Sequence, residues 1–268
     1  MYYNVVLNID IFIPVRLGSS RLPKKALKKI HGKYIIRYLI ERLQNIQNIR
    51  NIVICTTVSK IDDELVDYLS NSNILYFRGS EHDILDRFLK AAYEFNTEII
   101  IDVEADKIYT DPKYVDLITH EMQNLHIDFM TGNNSLDKFD PEFGFHGFVP
   151  AGIKVKALER ICELKKTDNT ETGYKEFFTT NDFIKRKFLL PEKNIKIPKK
   201  FRFSLDYPED LELAKIIFSK LGTNFDTTKL LKFIEENPNL QKIIDPIIEK
   251  WKKDYDQNIT KFDLNKLD

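Results

Sequence analysis

The chain has 268 residues and carries 41 Lys and Arg side chains against 41 Asp and Glu side chains, so its formal net charge at pH 7 is zero. This balance argues against general nucleic-acid binding, and affinity for phosphate must come from local clusters of charge. We find no signal peptide and no apolar run of about 18 residues, and we therefore expect a cytoplasmic protein. The two cysteines, Cys55 and Cys162, lack metal-ligand spacing and are interpreted as reduced, packed thiols.

Short β-branched runs alternate with longer amphipathic runs through the first half of the chain. The predicted strands cover residues 11–15, 51–57, 74–77, 98–103 and 127–131. The predicted helices cover residues 34–43, 62–69, 83–95 and 112–122. Because this alternation is typical of βαβ units, it predicts an α/β fold with a mostly parallel sheet flanked by helices.

The second half of the chain is less regular. Glycine and phenylalanine are frequent between 132 and 152, which indicates an antiparallel insertion or a loop over the sheet. A strand at 202–205 and a helix at 208–221 follow, and two amphipathic helices come after them. We therefore divide the chain into a main domain at 1–223, with its insertion at about 132–152, and a C-terminal helical appendage at 224–268.

The first predicted strand leads into a loop of small and basic residues. Gly18 and Ser19 allow the backbone of this loop to approach a ligand closely and offer amide and hydroxyl donors. Positive charge for phosphate oxygens comes from four side chains of the same loop: Arg16, Arg21, Lys24 and Lys25. The combination predicts a triphosphate site, although it matches neither the P-loop nor the three-glycine dinucleotide motif. A basic, solvated turn after an edge strand is the alternative.

Acidic side chains follow two other predicted strands. Asp102, Glu104 and Asp106 lie at the end of one strand, and Asp206 follows a later one. Since ligands of open α/β sheets bind at the carboxyl ends of the strands, Asp106 and Asp206 are candidate ligands of Mg²⁺. The alternatives are that Asp206 caps the next helix and that Asp102 and Glu104 are solvated charges.

A third candidate site follows the strand 74–77. Gly79 permits a tight turn there, and the Arg78 side chain could reach an acceptor atom on a base. This pattern predicts nucleoside recognition, with the capped start of a helix as the alternative.

The motifs of the first loop and of three later segments resemble those of the cytidylyltransferase family, which includes the CMP-KDO and CMP-acylneuraminate synthetases. They are Arg16-x-Gly18-Ser19-x-Arg21-Leu22-Pro23-x-Lys25, Gly32-Lys33, Phe77-Arg78-Gly79-Ser80-x-x-Asp83-Ile84-Leu85-Asp86-Arg87 and Leu205-Asp206-Tyr207-Pro208-Glu209-Asp210-Leu211-Glu212. The segment that begins at Phe77 is most similar to the spore coat polysaccharide biosynthesis F-like proteins. The resemblance extends from the first strand to about Leu221.

This resemblance implies a Rossmann-like, GT-A-like nucleotidyltransferase domain with CTP bound over the first loop and Mg²⁺ as cofactor. It assigns the triphosphate to three cations of that loop, Arg16, Arg21 and Lys25. It assigns the metal to two aspartates, Asp106 and Asp206, and the nucleoside pocket to Arg78 and Gly79. The insertion would face the acceptor and hold two subunits together as a homodimer, with His146 as the histidine placed to contact the acceptor.

We therefore expect an enzyme that transfers CMP from CTP to a sugar acid or a sugar phosphate and releases pyrophosphate, for surface polysaccharide or glycoconjugate precursors. One alternative is a catalytically silent nucleotide-binding protein of the same fold. Another is a glycosyltransferase that uses a nucleotide sugar. The residues do not identify the acceptor or exclude a nucleotide other than CTP. The segment 170–175 is interpreted as a surface connection, with a mobile acceptor loop as the alternative.

Two positions depart from the family pattern. Lys24 replaces the usual glycine of the first loop, which restricts the backbone and adds a cation. Ala105 replaces the glycine before Asp106, and Lys107 follows it. Lys107 could form an ion pair with Asp106 and weaken metal binding, or it could point toward phosphate.

Overall fold

The computed structural model describes residues 7–124, 126–132, 147–190, 192, 195–198 and 200–258, without the side chains of 252 and 254–258. Seven strands in this part of the chain form one sheet: β1 Ile9–Pro14, β4 Asn51–Thr57, β5 Tyr76–Gly79, β6 Ile99–Asp102, β7 Phe129–Gly132, β8 Ala151–Lys154 and β9 Arg186–Leu189. A separate hairpin consists of β2 Lys29–Ile30 and β3 Lys33–Tyr34. The strand order in the sheet is β5-β4-β1-β6-β8-β7-β9. Only β8 runs antiparallel to its neighbours within this sheet.

Helices cover both faces of the sheet. They are α1 Ile35–Leu43, α2 Asp63–Asn71, α3 Ile84–Phe95, α4 Pro112–Met122, α5 Val155–Leu164, α6 Glu176–Thr180, α7 Pro208–Leu221, α8 Thr227–Glu236 and α9 Gln241–Asn258. Alternate side chains of a strand point to opposite faces, so Ile11 and Ile13 enter one core cluster while Phe12 enters another. The first cluster includes residues of α1, α2, α4, α7, α8 and α9, and the second includes residues of α3, α5 and α6. The predicted fold, a mostly parallel sheet flanked by helices, is confirmed.

Local signals explain where several helices begin and end. The Asp83 side chain accepts a hydrogen bond from the Asp86 N–H at the start of α3, and Asn96 ends that helix in the left-handed conformation. Pro208 occupies the first turn of α7, and Gly222 with φ 67° follows its last residue. These predicted helices therefore agree closely with the structure.

The predicted strand at 202–205 is wrong, because these residues belong to no strand of the sheet. Phe201, Phe203 and Leu205 are buried in the first core cluster, which produces the strand-like alternation of the sequence. The Leu205 N–H donates to the Asp106 carbonyl at 2.9 Å instead of joining a strand ladder. The segment thus carries Asp206 to the loop that follows β6.

The less regular middle of the chain contains elements that the sequence patterns did not predict: β8, α5, α6 and β9. Of the insertion at about 132–152, the structure describes residue 132 and residues 147–152, and His146 lies outside the described residues. Side chains of α8 and α9, including Leu230 and Ile244, share a core cluster with Ile11 of β1. The division into 1–223 and 224–268 stays a prediction. Within the described residues, no helix combines the length and apolar character needed to cross a membrane.

Candidate active site

The first loop is anchored to the neighbouring strand β4 by one buried carboxylate. Asp62 accepts a hydrogen bond from the Leu17 N–H at 2.7 Å and another from the Thr57 N–H at 3.2 Å. The Lys24 N–H donates to the Leu17 carbonyl at 3.1 Å, which closes the loop before a single 3₁₀ turn at Lys25–Leu27. This bonding places Lys25 at the carboxyl ends of the central strands.

Lys25 lies between the two predicted metal ligands. Its Nζ atom is 3.3 Å from Asp106 Oδ2 and 3.1 Å from Asp206 Oδ1. Asp106 follows β6, and Asp206 precedes α7. The structure therefore brings together three residues that the sequence separates widely, and each is one that we predicted for the site.

The two aspartates experience different electrostatic surroundings. Asp206 also contacts Arg21, whose Nη2 lies 3.2 Å from Oδ1, and Arg202, whose Nη2 lies 2.8 Å from Oδ2. Burial opposes ionisation of Asp206, but Lys25, Arg21 and Arg202 outweigh it and hold its pKa at about 2. For Asp106 burial dominates, and its pKa is raised although Lys25 partly offsets the effect. Asp206 is therefore an ionised carboxylate at neutral pH, whereas the charge of Asp106 is less well compensated.

The donor atoms here suit a hard divalent cation. Asp106 Oδ1 is buried and has no hydrogen-bond partner in the described structure, so one carboxylate oxygen is left for a further ligand. No cluster of three or more His, Cys, Asp or Glu side chains among the described residues is arranged to hold a metal. Proteins nevertheless often supply only two carboxylate ligands to Mg²⁺, which completes its coordination shell with water and substrate phosphates. Asp106 and Asp206 could therefore hold Mg²⁺ together with a bound triphosphate.

A second charged network lies beside the first. The Tyr174 hydroxyl donates to Asp102 Oδ2 at 2.6 Å, and Lys175 Nζ contacts both Asp102, at 3.2 Å, and Glu104. Lys107 Nζ lies 3.0 Å from Glu104 Oε1, so Lys107 pairs with Glu104 rather than with Asp106. Burial lowers the pKa of Lys107 and Glu104 opposes that effect.

The segment 170–175 is part of this site, and our interpretation of it as a surface connection is wrong. Thr170 and Tyr174 are buried. Glu171 lies 2.6 Å from Arg87 Nη2 and 3.5 Å from Arg16 Nε, which connects the segment to the first loop. Glu171, Tyr174 and Lys175 are the residue types of this segment that could have indicated such contacts, but they form no regular pattern in the sequence.

Gly18 and Ser19 lie where the first loop meets solvent. Gly18 is exposed, and a Cβ atom added there would meet nothing within 4 Å. The Ser19 Oγ accepts a hydrogen bond from the Leu22 N–H at 3.4 Å. The fold itself therefore imposes no need for glycine at position 18, which is consistent with space kept for a ligand.

Arg78 and Gly79 line a cavity of about 610 Å³ at the end of β5. Arg78 Nε donates to the Thr57 carbonyl at 2.9 Å, and its Nη2 lies 2.8 Å from Asp63. A Cβ atom at Gly79 would lie 2.9 Å from Arg87 Cγ, so close packing requires glycine at this position. The Arg78 guanidinium is thus held by the end of β4 and the start of α2, with the cavity beside it.

The family model for cytidylyltransferases matches residues 11–187 of the chain. The spore coat polysaccharide biosynthesis protein SpsF of Bacillus subtilis is 26% identical over 240 residues, which covers 87% of this chain and 96% of SpsF. The 3-deoxy-manno-octulosonate cytidylyltransferase of Syntrophotalea carbinolica is 28% identical over 110 residues, or 41% of this chain and 43% of that enzyme.

A solved structure shows the same architecture. The cytidylyltransferase of Leptospira borgpetersenii superposes with a TM-score of 0.74 at 26% identity, and the match covers 87% of this chain and 96% of that one. The resemblance inferred from the motifs is confirmed, and the fold is shared with a solved cytidylyltransferase. The chain therefore belongs to the cytidylyltransferase family, whose members are nucleotidyltransferases.

Proposed function

We propose that this protein transfers CMP from CTP to a sugar acid or a sugar phosphate and releases pyrophosphate, with Mg²⁺ as cofactor. The observation that carries the proposal is the position of Lys25, which reaches from the first loop to both Asp106 and Asp206. A loop cation beside two carboxylates can bind a triphosphate and its metal at one point.

The first loop supplies the charge that a triphosphate needs. Arg16, Arg21 and Lys25 each face a carboxylate: Glu171 for Arg16, Asp206 for Arg21, and both aspartates for Lys25. Phosphate oxygens are acceptors for the same donors, so we infer that a bound triphosphate takes over part of these contacts. Gly18 leaves room for the phosphates to approach the loop backbone.

The reaction would consist of one displacement at phosphorus. An acceptor oxygen forms a bond to the α-phosphorus, the bond from that phosphorus to the bridging oxygen breaks, and the electron pair leaves with pyrophosphate. A hydroxyl acceptor releases its proton to solvent in this step, whereas a phosphate acceptor attacks as an oxyanion. Mg²⁺ held by Asp106 and Asp206 would neutralise phosphate charge when bound. Lys25, Arg16 and Arg21 align the triphosphate and stabilise the negative charge that develops on the leaving group.

The names of two relatives and the local charge support this choice of acceptor class. One relative is named for spore coat polysaccharide biosynthesis and another for 3-deoxy-manno-octulosonate, which is a sugar acid. Lys107 and Lys175 both contact Glu104, two residues before Asp106, and an anionic acceptor could compete with Glu104 for them. We also propose that the insertion at about 132–152 holds two subunits together as a homodimer and that His146, within the insertion, contacts the acceptor.

The test is pyrophosphate release with Mg²⁺, each of the four ribonucleoside triphosphates, and panels of sugar acids and sugar phosphates. Release that requires CTP and one acceptor class supports the proposal, and Lys25→Met should reduce it on the order of 10²-fold or more. Lys28→Met, which changes an exposed lysine of the same segment, is the matched control. Nucleotide binding without release from any combination favours the silent protein instead, and sugar transfer from a nucleotide sugar favours the glycosyltransferase.

A further inference from the structure

The single tryptophan of the chain lies close to a proposed metal ligand. Trp251 is a buried residue of α9, and its ring centroid lies 5.0 Å from the guanidinium carbon of Arg202. Arg202 in turn donates from Nη2 to Asp206 Oδ2 at 2.8 Å. A continuous contact therefore connects the C-terminal helix with Asp206.

Two aromatic rings contact the buried guanidinium group of Arg202. Its side chain is 4% exposed, and its Nε and Nη1 atoms have no hydrogen-bond partner in the described structure. Its guanidinium carbon lies 5.2 Å from the ring centroid of Tyr207 and 5.0 Å from that of Trp251. Because a buried cation is costly without compensation, these ring contacts help to keep Arg202 at its position beside Asp206.

The same helix reaches the site at a second point. Lys250 Nζ lies 5.3 Å from the centroid of the Tyr207 ring, and Arg21 lies 5.5 Å from the same centroid. Tyr207 directly follows Asp206 and caps α7. Two neighbouring residues of α9 thus contact Arg202, which binds Asp206, and Tyr207, which follows it in the chain.

We propose that α9 positions Asp206 for metal binding through Trp251 and Arg202. The proposal rests on the metal role of Asp206 that is part of the proposed function. Both contact residues lie beyond residues 11–187, the part of the chain that the family model matches.

The two oxygens of Asp206 explain how this positioning works. Arg202 donates to Oδ2, whereas Oδ1 contacts Lys25 and Arg21 of the first loop. The terminal torsion of an aspartate is soft, so a fixed donor on one oxygen sets the direction of the other. Residues that orient a metal ligand in this way commonly change metal affinity or activity about 10–100-fold when they are replaced.

The first measurement is Mg²⁺ binding to the full chain with saturating CTP and no acceptor, by titration calorimetry, so that no turnover is needed. We expect Trp251→Leu to weaken Mg²⁺ binding about tenfold or more, and Trp251→Phe, which keeps an aromatic ring, to restore most of it. Ile244→Ala is the matched control, since it removes a fully buried side chain two turns earlier in α9. The control should bind Mg²⁺ as the wild type does.

A second variant covers the case in which Trp251→Leu does not fold. Arg202→Lys keeps the charge but loses the planar fork, and we expect the same loss of Mg²⁺ affinity from it.

The outcomes separate this inference from the proposed function. Wild-type Mg²⁺ binding and pyrophosphate release, together with unchanged Mg²⁺ affinity in Trp251→Leu or in Arg202→Lys, overturn the role of α9 alone. A wild-type chain that neither binds Mg²⁺ with CTP nor releases pyrophosphate overturns both proposals.

Discussion

Lys25 and Asp206 are 181 positions apart in the chain, and Lys25 Nζ lies 3.1 Å from Asp206 Oδ1. The same ammonium group lies 3.3 Å from Asp106, which has no other ion pair in the described structure, whereas Asp206 also contacts Arg21 and Arg202. The two aspartates therefore share one lysine but differ in how far the fold stabilises their charge.

This difference predicts opposite effects of two matched substitutions on stability. Asp206→Asn removes a carboxylate whose pKa is held at about 2, so the free energy of unfolding at pH 7 should fall by about 2 kcal/mol or more. Asp106→Asn replaces a carboxylate whose pKa is raised by burial, and it should leave that free energy unchanged or slightly higher. Urea denaturation of both variants is the measurement.

Both substitutions should reduce pyrophosphate release, on the order of 10²-fold or more, because each removes a proposed metal ligand. We expect both variants to lose activity and only Asp206→Asn to lose stability. Equal stability of the two variants would contradict the electrostatic difference, and wild-type activity in Asp106→Asn would contradict its metal role.

Asp210 predicts a pH dependence of stability. Burial raises its pKa to about 6, with Arg202 and two backbone N–H groups opposing the shift. A carboxyl with a raised folded-state pKa binds its proton more tightly in the folded protein, so stability is lost as pH rises from 3.8 through about 6. The loss attributable to Asp210 is about 3 kcal/mol.

Asp210→Asn should remove that loss, because an amide oxygen can still accept from the N–H groups of Asp206 and Tyr207. We expect the variant to be more stable than the wild type at pH 7 and similar to it near pH 4. Urea denaturation at both pH values measures the difference. A difference between the two proteins that does not change with pH would sink this prediction.

Gly18 allows the effects of ligand binding and folding to be separated. Its added Cβ would meet nothing within 4 Å, so Gly18→Ala should leave the melting temperature unchanged. If the triphosphate lies against the loop backbone, the same methyl group should weaken CTP binding about tenfold. Calorimetric titration with CTP tests this, with Ser20→Ala as a control in an exposed position of the same loop. Unchanged CTP affinity in Gly18→Ala would show that the loop backbone does not touch the ligand.

Lys24 adopts a backbone conformation that favours glycine, with φ 54° and ψ 34°. Lys24→Gly should therefore raise the free energy of unfolding by about 0.5–1 kcal/mol, since the left-handed strain exceeds the added flexibility of the unfolded chain. The exposed ion pair between Lys24 and Glu64 contributes little. Lys24→Ala keeps the strain and should be no more stable than the wild type. Chemical denaturation compares the three proteins, and equal gains in both variants would indicate a cause other than the backbone.

The regular part of the fold could be predicted because its signals are local. The strand at Asn51–Thr57 and the helix at Pro208–Leu221 agree with their predicted bounds, since each depends on hydrophobic period and on residues at its own ends. The prediction of a strand at 202–205 is wrong because a strand also depends on residues that are distant in the sequence. Its alternation reflects packing of Phe201, Phe203 and Leu205 in the core, and a strand also requires a partner in the ladder.

Likewise, only part of the candidate site could be predicted from the sequence. The first loop and Asp106 were recognisable because residue type and position after a strand mark them. Asp206 was recognisable from the motif at 205–212, although the strand predicted before it is absent. The contacts of Glu171, Tyr174 and Lys175 were missed, since a surface connection and a segment that folds into the site can have the same composition.

The sequence by itself determined the alternation of strands and helices, the position of a basic loop after the first strand, and the family to which these motifs belong. Only the tertiary structure decided which carboxylate faces each cation and that Trp251 packs against Arg202, the partner of Asp206. Hydrophobic period and helix caps act between residues that are close in the chain. Charge pairing acts over a few ångströms in space, and those distances exist only after the sheet and its helices have packed.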